Sequence, residues 1–129
     1  MIALRALVLA LLIGTAADAA VLPLKHGTYV VVDTPCDKPA FAAVLTYDGR
    51  AFAYPHASDC RSVVRARSGQ TFRVSETCSA LGDGSKITPT TTNVAYIIQS
   101  RTRFALHKEG GSTPTAYRWC ATPIARAFR

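Results

Sequence analysis

The sequence predicts an all-β domain: a small antiparallel β-barrel or β-sandwich of about eight short strands, mostly in meander order and stapled by disulfides. Three observations lead there. Short apolar runs recur between clusters of turn-forming residues, no stretch keeps helical periodicity for more than a turn, and four cysteines stand in a chain that begins like an exported one.

At the N-terminus, Arg5 precedes the apolar run from Ala6 to Ile13, and Gly14 and small residues lead to Ala17-Asp18-Ala19, which fits the small-x-small rule for signal peptidase. Cleavage is expected after Ala19. The run is far shorter than the roughly 20 residues that span a bilayer, and no cysteine follows it to take a lipid. Residues 1–19 are therefore read as a signal peptide, 20–120 as one β domain, and 121–129, with Arg126, Phe128 and Arg129, as a flexible basic tail. The expected location is the periplasm or the extracellular space, with no transmembrane span in the mature chain, which is read as a monomer.

The mature chain of 110 residues suffices for one domain, whose modest core benefits from covalent help. It carries 14 basic and 7 acidic side chains, and ten of the basic ones are arginine. Arginine binds planar oxyanions through a rigid fork of donors, whereas lysine acts as a point charge. A basic exported protein meets anionic lipid headgroups, envelope polymers and nucleic acid; solubility alone accounts for the charge equally well.

The first mature strand is read over Thr28 to Asp33, whose continuous apolar run suits a strand covered on both sides. Its Gly27-Thr28-Tyr29 opening resembles the Gly-x-aromatic start of lipocalin-type barrels, which implies a barrel able to carry a small ligand. Pro35 and Pro39 then break the strand into a loop that carries Cys36. The most specific local signal is Phe41 to Tyr54: Asp48-Gly49 supplies a two-residue type I′ turn, pairing Leu45 with Phe52 and Ala43 with Tyr54 so that the large side chains share one face.

Pro55 to Cys60 reads as a loop. Arg61 to Arg67 and Thr71 to Cys78 form a second hairpin around Ser68-Gly69-Gln70, which sets Val64 opposite Val74 and Arg65 opposite Arg73, with Arg67 on the same basic face. Ser79 to Thr92 reads as a long polar loop. A third hairpin follows, Asn93 to Gln99 and Arg103 to Lys108, pairing Ile98 with Phe104 and Tyr96 with Leu106. The last strand, Thr115 to Cys120, puts Tyr117 and Trp119 on one face and Arg118 on the other.

Four cysteines in an exported chain pair, and their spacings are unlike those of zinc ligands. Cys36 and Cys60 bracket the central hairpin at one end of the sheet, which favours Cys36 with Cys60 and Cys78 with Cys120. The register of the second hairpin, extended to its base, offers the rival set: Cys60 with Cys78 and Cys36 with Cys120.

The chain holds no assembled acid, base and nucleophile set. His56, Ser58 and Asp59 share one loop, where Ser and Asp read as turn residues; Gly82 to Lys86 lacks the spacing of a phosphate loop. No enzyme activity, cofactor or metal is expected. The expected function is a non-enzymatic binding domain whose arginine-rich face, Arg65, Arg67 and Arg73 extended by Arg103 and Arg118, engages an anionic envelope component or protein. The alternatives are a small-ligand carrier and an envelope inhibitor of a secreted enzyme. For the latter, the chain is similar in outline to small periplasmic β-barrel inhibitors of lysozyme, although it lacks their Ser-Gly plus tyrosine loop.

Overall fold

The computed structural model describes residues 20–111 and 113–121. Its strands are β1 Gly27–Val31, β2 Val44–Tyr47, β3 Phe52–Ala53, β4 Ala57–Ser68, β5 Thr71–Leu81, β6 Lys86–Ser100, β7 Arg103–Lys108 and β8 Thr115–Cys120, and the one helical piece among the described residues is a 3-10 turn, Phe41–Ala43. All pairings are antiparallel, in the order β3-β2-β1-β8-β7-β6-β5-β4. Chain neighbours are thus sheet neighbours, and β1 meets β8, so the sheet curls into a nearly closed barrel. The ring is weakest between β3 and β4, which share one isolated bridge, Tyr54 to Ala57. The predicted signal peptide and residues 122–129 of the predicted tail lie outside the described residues.

Aromatic rings fill the interior. Tyr29, Tyr47, Phe52, Tyr96, Phe104 and Tyr117 all belong to one buried cluster, with Phe52 stacked on Tyr96 at 5.3 Å and Phe104 on Tyr117 at 5.2 Å between centroids. Residues 20–26 plug one end: Leu22 and Leu24 are buried, and the Leu22 amide donates to the Tyr47 hydroxyl at 2.9 Å. The Tyr29 hydroxyl donates to the Lys25 carbonyl at 2.6 Å, and burial raises that phenol to about 12, so it stays a protonated donor. Outside the barrel, Val30 and Val44 form a second cluster with Cys36 and Cys120. The continuous apolar run of β1 is therefore covered on both faces, Tyr29 by the interior and Val30 by this outer cluster.

The third hairpin keeps its expected register, Tyr96 to Leu106 and Ile98 to Phe104. In the second, Val64 faces Val74, but a bulge between Val64 and Ala66 sets Ala66 opposite Arg73 and Arg67 opposite Phe72. The expected Arg65 to Arg73 pair is absent because Gly69, at φ +57°, closes a two-residue turn between Ser68 and Thr71, and the bulge absorbs the one-residue difference.

The central hairpin departs from expectation by two residues. Tyr47 pairs with Phe52, and Asp48 to Ala51 form a four-residue loop in which the Asp48 carboxylate accepts the Arg50 and Ala51 amides at 2.8 and 2.9 Å. An even shift preserves every face, so Leu45, Tyr47 and Phe52 still point inward. Ser79 to Thr92 is no loop: β5 runs to Leu81 and β6 starts at Lys86. The segment Lys86–Asn93 is exposed on both faces and shows no hydrophobic alternation, yet its threonines are good strand formers, and the Thr77 and Thr91 hydroxyls bond across the pair at 2.8 Å.

The disulfides are Cys36–Cys120 and Cys60–Cys78, which overturns the favoured pairing of Cys36 with Cys60 and Cys78 with Cys120. Cys60 lies within β4, not in a loop beside Cys36, and the ladder sets it opposite Cys78. Cys36 is held over the outer face of β8, where Arg118 donates to the Thr34 carbonyl at 2.6 Å and the Val32 carbonyl at 3.2 Å.

Candidate functional site

Arg65 follows inward Val64 in β4 and stands outward, where its Nε donates to Ser75 Oγ at 3.2 Å. Arg73 stands on the same outer face, in a row with Ala95 of β6 and His107 of β7. Together they line an open groove of about 540 Å³. Val74, Val94, Asn93 and Glu109 also line it, and hydrogen bonds tie the strands around it: Ser75 donates to Asn93 Oδ1 at 3.1 Å, Asn93 donates to the Glu109 carboxylate at 3.2 Å, and the His107 Nε2 hydrogen goes to the Gly111 carbonyl at 2.8 Å. Among the described residues, no carboxylate lies within salt-bridge distance of Arg65 or Arg73.

The other arginines expected on this face lie elsewhere. Arg67, opposite buried Phe72, turns to the inner side of the hairpin tip with its guanidinium 4.7 Å from the Phe72 ring centroid. Arg103 is four residues along β7 from His107, roughly 13 Å at strand rise, and pairs with Arg118 of β8. Arg118 is committed to the Val32 and Thr34 carbonyls and contacts Cys36 Sγ at 3.2 Å, so its task is to hold the outer loop.

Glu76 escaped the sequence reading. It is the one buried charged side chain among the described residues, 3% exposed, and follows Phe72 and Val74 on the inward face of β5. That alternation was its available signal: a lone carboxylate at an inward position. The Tyr54 hydroxyl donates to Glu76 Oε1 at 2.6 Å, Ser62 donates to Oε2 at 3.4 Å, and the Tyr54 and Tyr96 hydroxyls are 2.8 Å apart. Because Tyr54 donates to the carboxylate, the Tyr96 hydroxyl donates to Tyr54. Desolvation pushes the Glu76 carboxyl above its usual range, against the opposing pull of these hydrogen bonds and of the Lys108 charge. The network links the end of β3 to β4, β5 and β6 where the backbone ladder is missing. Beside it opens a cavity of about 300 Å³ lined by Leu81, Ile87, Val94 and Lys108.

His56, Ser58 and Asp59, expected in one loop, do not assemble into a catalytic set, and Ser58 and Asp59 lie at the start of β4. Ser58 donates to the Leu81 carbonyl at 2.6 Å, and Asp59 pairs with Lys86 at 2.8 Å. Among the described residues, no group of His, Cys, Asp and Glu is placed to hold a metal, and no helix is long and apolar enough to cross a membrane. No protein-family model matches the chain, and no curated protein or solved structure is significantly similar to it.

Proposed function

We propose that the protein is an exported, non-enzymatic binding domain that takes an anionic group of its partner in the groove between Arg65 and Arg73. The observation that carries this reading is that Arg65 and Arg73 line one groove, with no carboxylate of the described residues in salt-bridge range of either. Forked donors suit phosphate and carboxylate oxygens. Export is supported by the charged start, short apolar run and small-residue site at Ala17 to Ala19, and the two disulfides suit an oxidising compartment. The carrier alternative is less favoured because seven buried aromatic rings occupy the interior that a ligand would need. An inhibitor of a basic secreted enzyme is opposed by the net charge of +7.

The test is binding of the mature protein to heparin, anionic vesicles and single-stranded nucleic acid across a salt series. Arg65→Ala with Arg73→Ala should weaken binding to the preferred anion more than Arg126→Ala with Arg129→Ala, a pair of the same charge. Equal losses would mean that net charge alone attracts these polymers and that the groove is no site.

A further inference from the structure

The strand that carries Arg65 also has a long free edge. β4 pairs with β5 from Ala57 to Ser68, but on its other side, among the described residues, the one backbone partnership is that of Ala57 with Tyr54. β3, its neighbour in the ring, is two residues long. The seam therefore opens past Tyr54, and a groove of about 780 Å³ runs along it between Phe52 and Ala53 on one wall and Asp59 and Arg61 on the other. Both faces of β4 meet water here: outward Val63 is 42% exposed, and Val64, which the ladder sets opposite inward Val74, is 37% exposed.

A free edge presents unpaired amides and carbonyls that template a further strand, with main-chain bonds supplying affinity and alternate side chains supplying choice of partner. The side chains along this edge set that choice. Arg61, Arg65 and Arg67 are exposed and have no carboxylate of the described residues in salt-bridge range, while the acid among them, Asp59, is bound to Lys86. Like charges directly across a strand pair are unfavourable, so two copies of β4 make a poor pair. A strand that alternates acidic with β-branched apolar residues makes a good one, its carboxylates reaching outward Arg61 and Arg65 and its apolar side chains covering Val64 on the other face. We infer that the free edge of β4 is a strand-addition site for an extended acidic segment of a partner protein, which fills the seam between β3 and β4. This rests on the reading of the arginine face as an anion-recognition surface and adds the backbone edge to it.

The experiment uses the mature protein and a labelled, end-capped ten-residue peptide alternating Glu with Val, followed by fluorescence anisotropy. Its partner is the same peptide N-methylated at its four central amides, which keeps the charge and removes the ladder donors. The expected result is binding at least about tenfold weaker for the methylated peptide, the loss of one or two hydrogen bonds. Slowed hydrogen exchange within residues 59–68 should accompany the unmethylated peptide alone, and Arg61→Ala should weaken its binding. Equal affinity for the two peptides overturns strand addition and leaves the arginine reading standing. Binding of neither peptide, with heparin or vesicle binding still lost in the Arg65 and Arg73 double variant, overturns the inference alone. If that loss is missing as well, both readings fall. Concentration-dependent dimerisation that protects β4 without peptide makes a second copy the occupant and overturns the inference.

Discussion

The two seams of the barrel are closed by different means. Between β1 and β8 a ladder runs from Thr28–Cys120 to Val31–Tyr117, roofed outside by the loop that Arg118 holds and locked by Cys36–Cys120. Between β3 and β4 there is one bridge, and the rest of the join passes through the side chains of Tyr54, Glu76, Tyr96 and Ser62. A backbone ladder uses groups that nearly every residue supplies, so no single side chain decides it. A side-chain join depends on three or four residues and on keeping a desolvated carboxylate satisfied. The first seam is built to stay shut, and the second leaves edge and groove open to solvent.

The largest expected effect tests the closed seam. Replacing Cys36 and Cys120 by serine releases a loop of 84 residues and should lower stability by about 4.5 kcal/mol in urea denaturation. The same change at Cys60 and Cys78, 18 residues apart, should cost about 3 kcal/mol. The second pair lies in the β4–β5 ladder, which is neither seam, and a larger loss there would show that the bridge at the closed seam is not the main covalent support of the barrel.

Next come single side chains, one from each seam. Arg118→Ala deletes two charge-assisted bonds to carbonyls and should cost about 2 kcal/mol; Tyr54→Phe takes one donor from a buried carboxylate and should cost about 1 to 2 kcal/mol. Should Tyr54→Phe prove much the worse, the side-chain join would be the stronger of the two.

The smallest effect is a dependence on pH. Desolvation raises the carboxyl of folded Glu76 above its ordinary 4.5, so the folded state favours its protonated form. The stability this contributes is fully present below 4.5 and is lost as pH rises through the raised folded value. The wild type should therefore gain stability relative to Glu76→Gln as pH falls through that window. Parallel pH profiles for the two proteins would show that Glu76 is solvated and that the open seam is wetter than its burial indicates.

What the sequence made legible follows from where patterns repeat. Tyr96, Ile98, Phe104 and Leu106 alternate cleanly, and their register could be read; Leu45, Tyr47 and Phe52 kept their face even though the turn between them is two residues longer than Asp48-Gly49 implied. Strand residues that bury nothing leave no such mark, which is why Lys86 to Asn93 read as a loop. Disulfide geometry depended on a bulge-free register at the base of the second hairpin and on the path of residues 32–43, and local patterning decides only the former. At the candidate site, the outward placement of Arg65 and Arg73 was legible from alternation. The inward turn of Arg67, the diversion of Arg118 to carbonyls and the role of Glu76 required the bulge, the outer loop and the barrel's curvature.

The β1–β8 ladder also bears on how the chain acquires its shape. Every other ladder joins strands adjacent in the chain, but this one joins Thr28 to Cys120, 92 positions on. Closing so long a loop costs entropy before any contact rewards it, and the hairpins can form without waiting for it. During synthesis the edge of β1 stays unmatched until β8 has been made. If the barrel thus closes after its rate-limiting step, Val30→Ala, buried at this seam, should speed unfolding several-fold in stopped-flow denaturant jumps while leaving the refolding rate unchanged. Slower refolding would place the joining of the two chain ends in the folding nucleus.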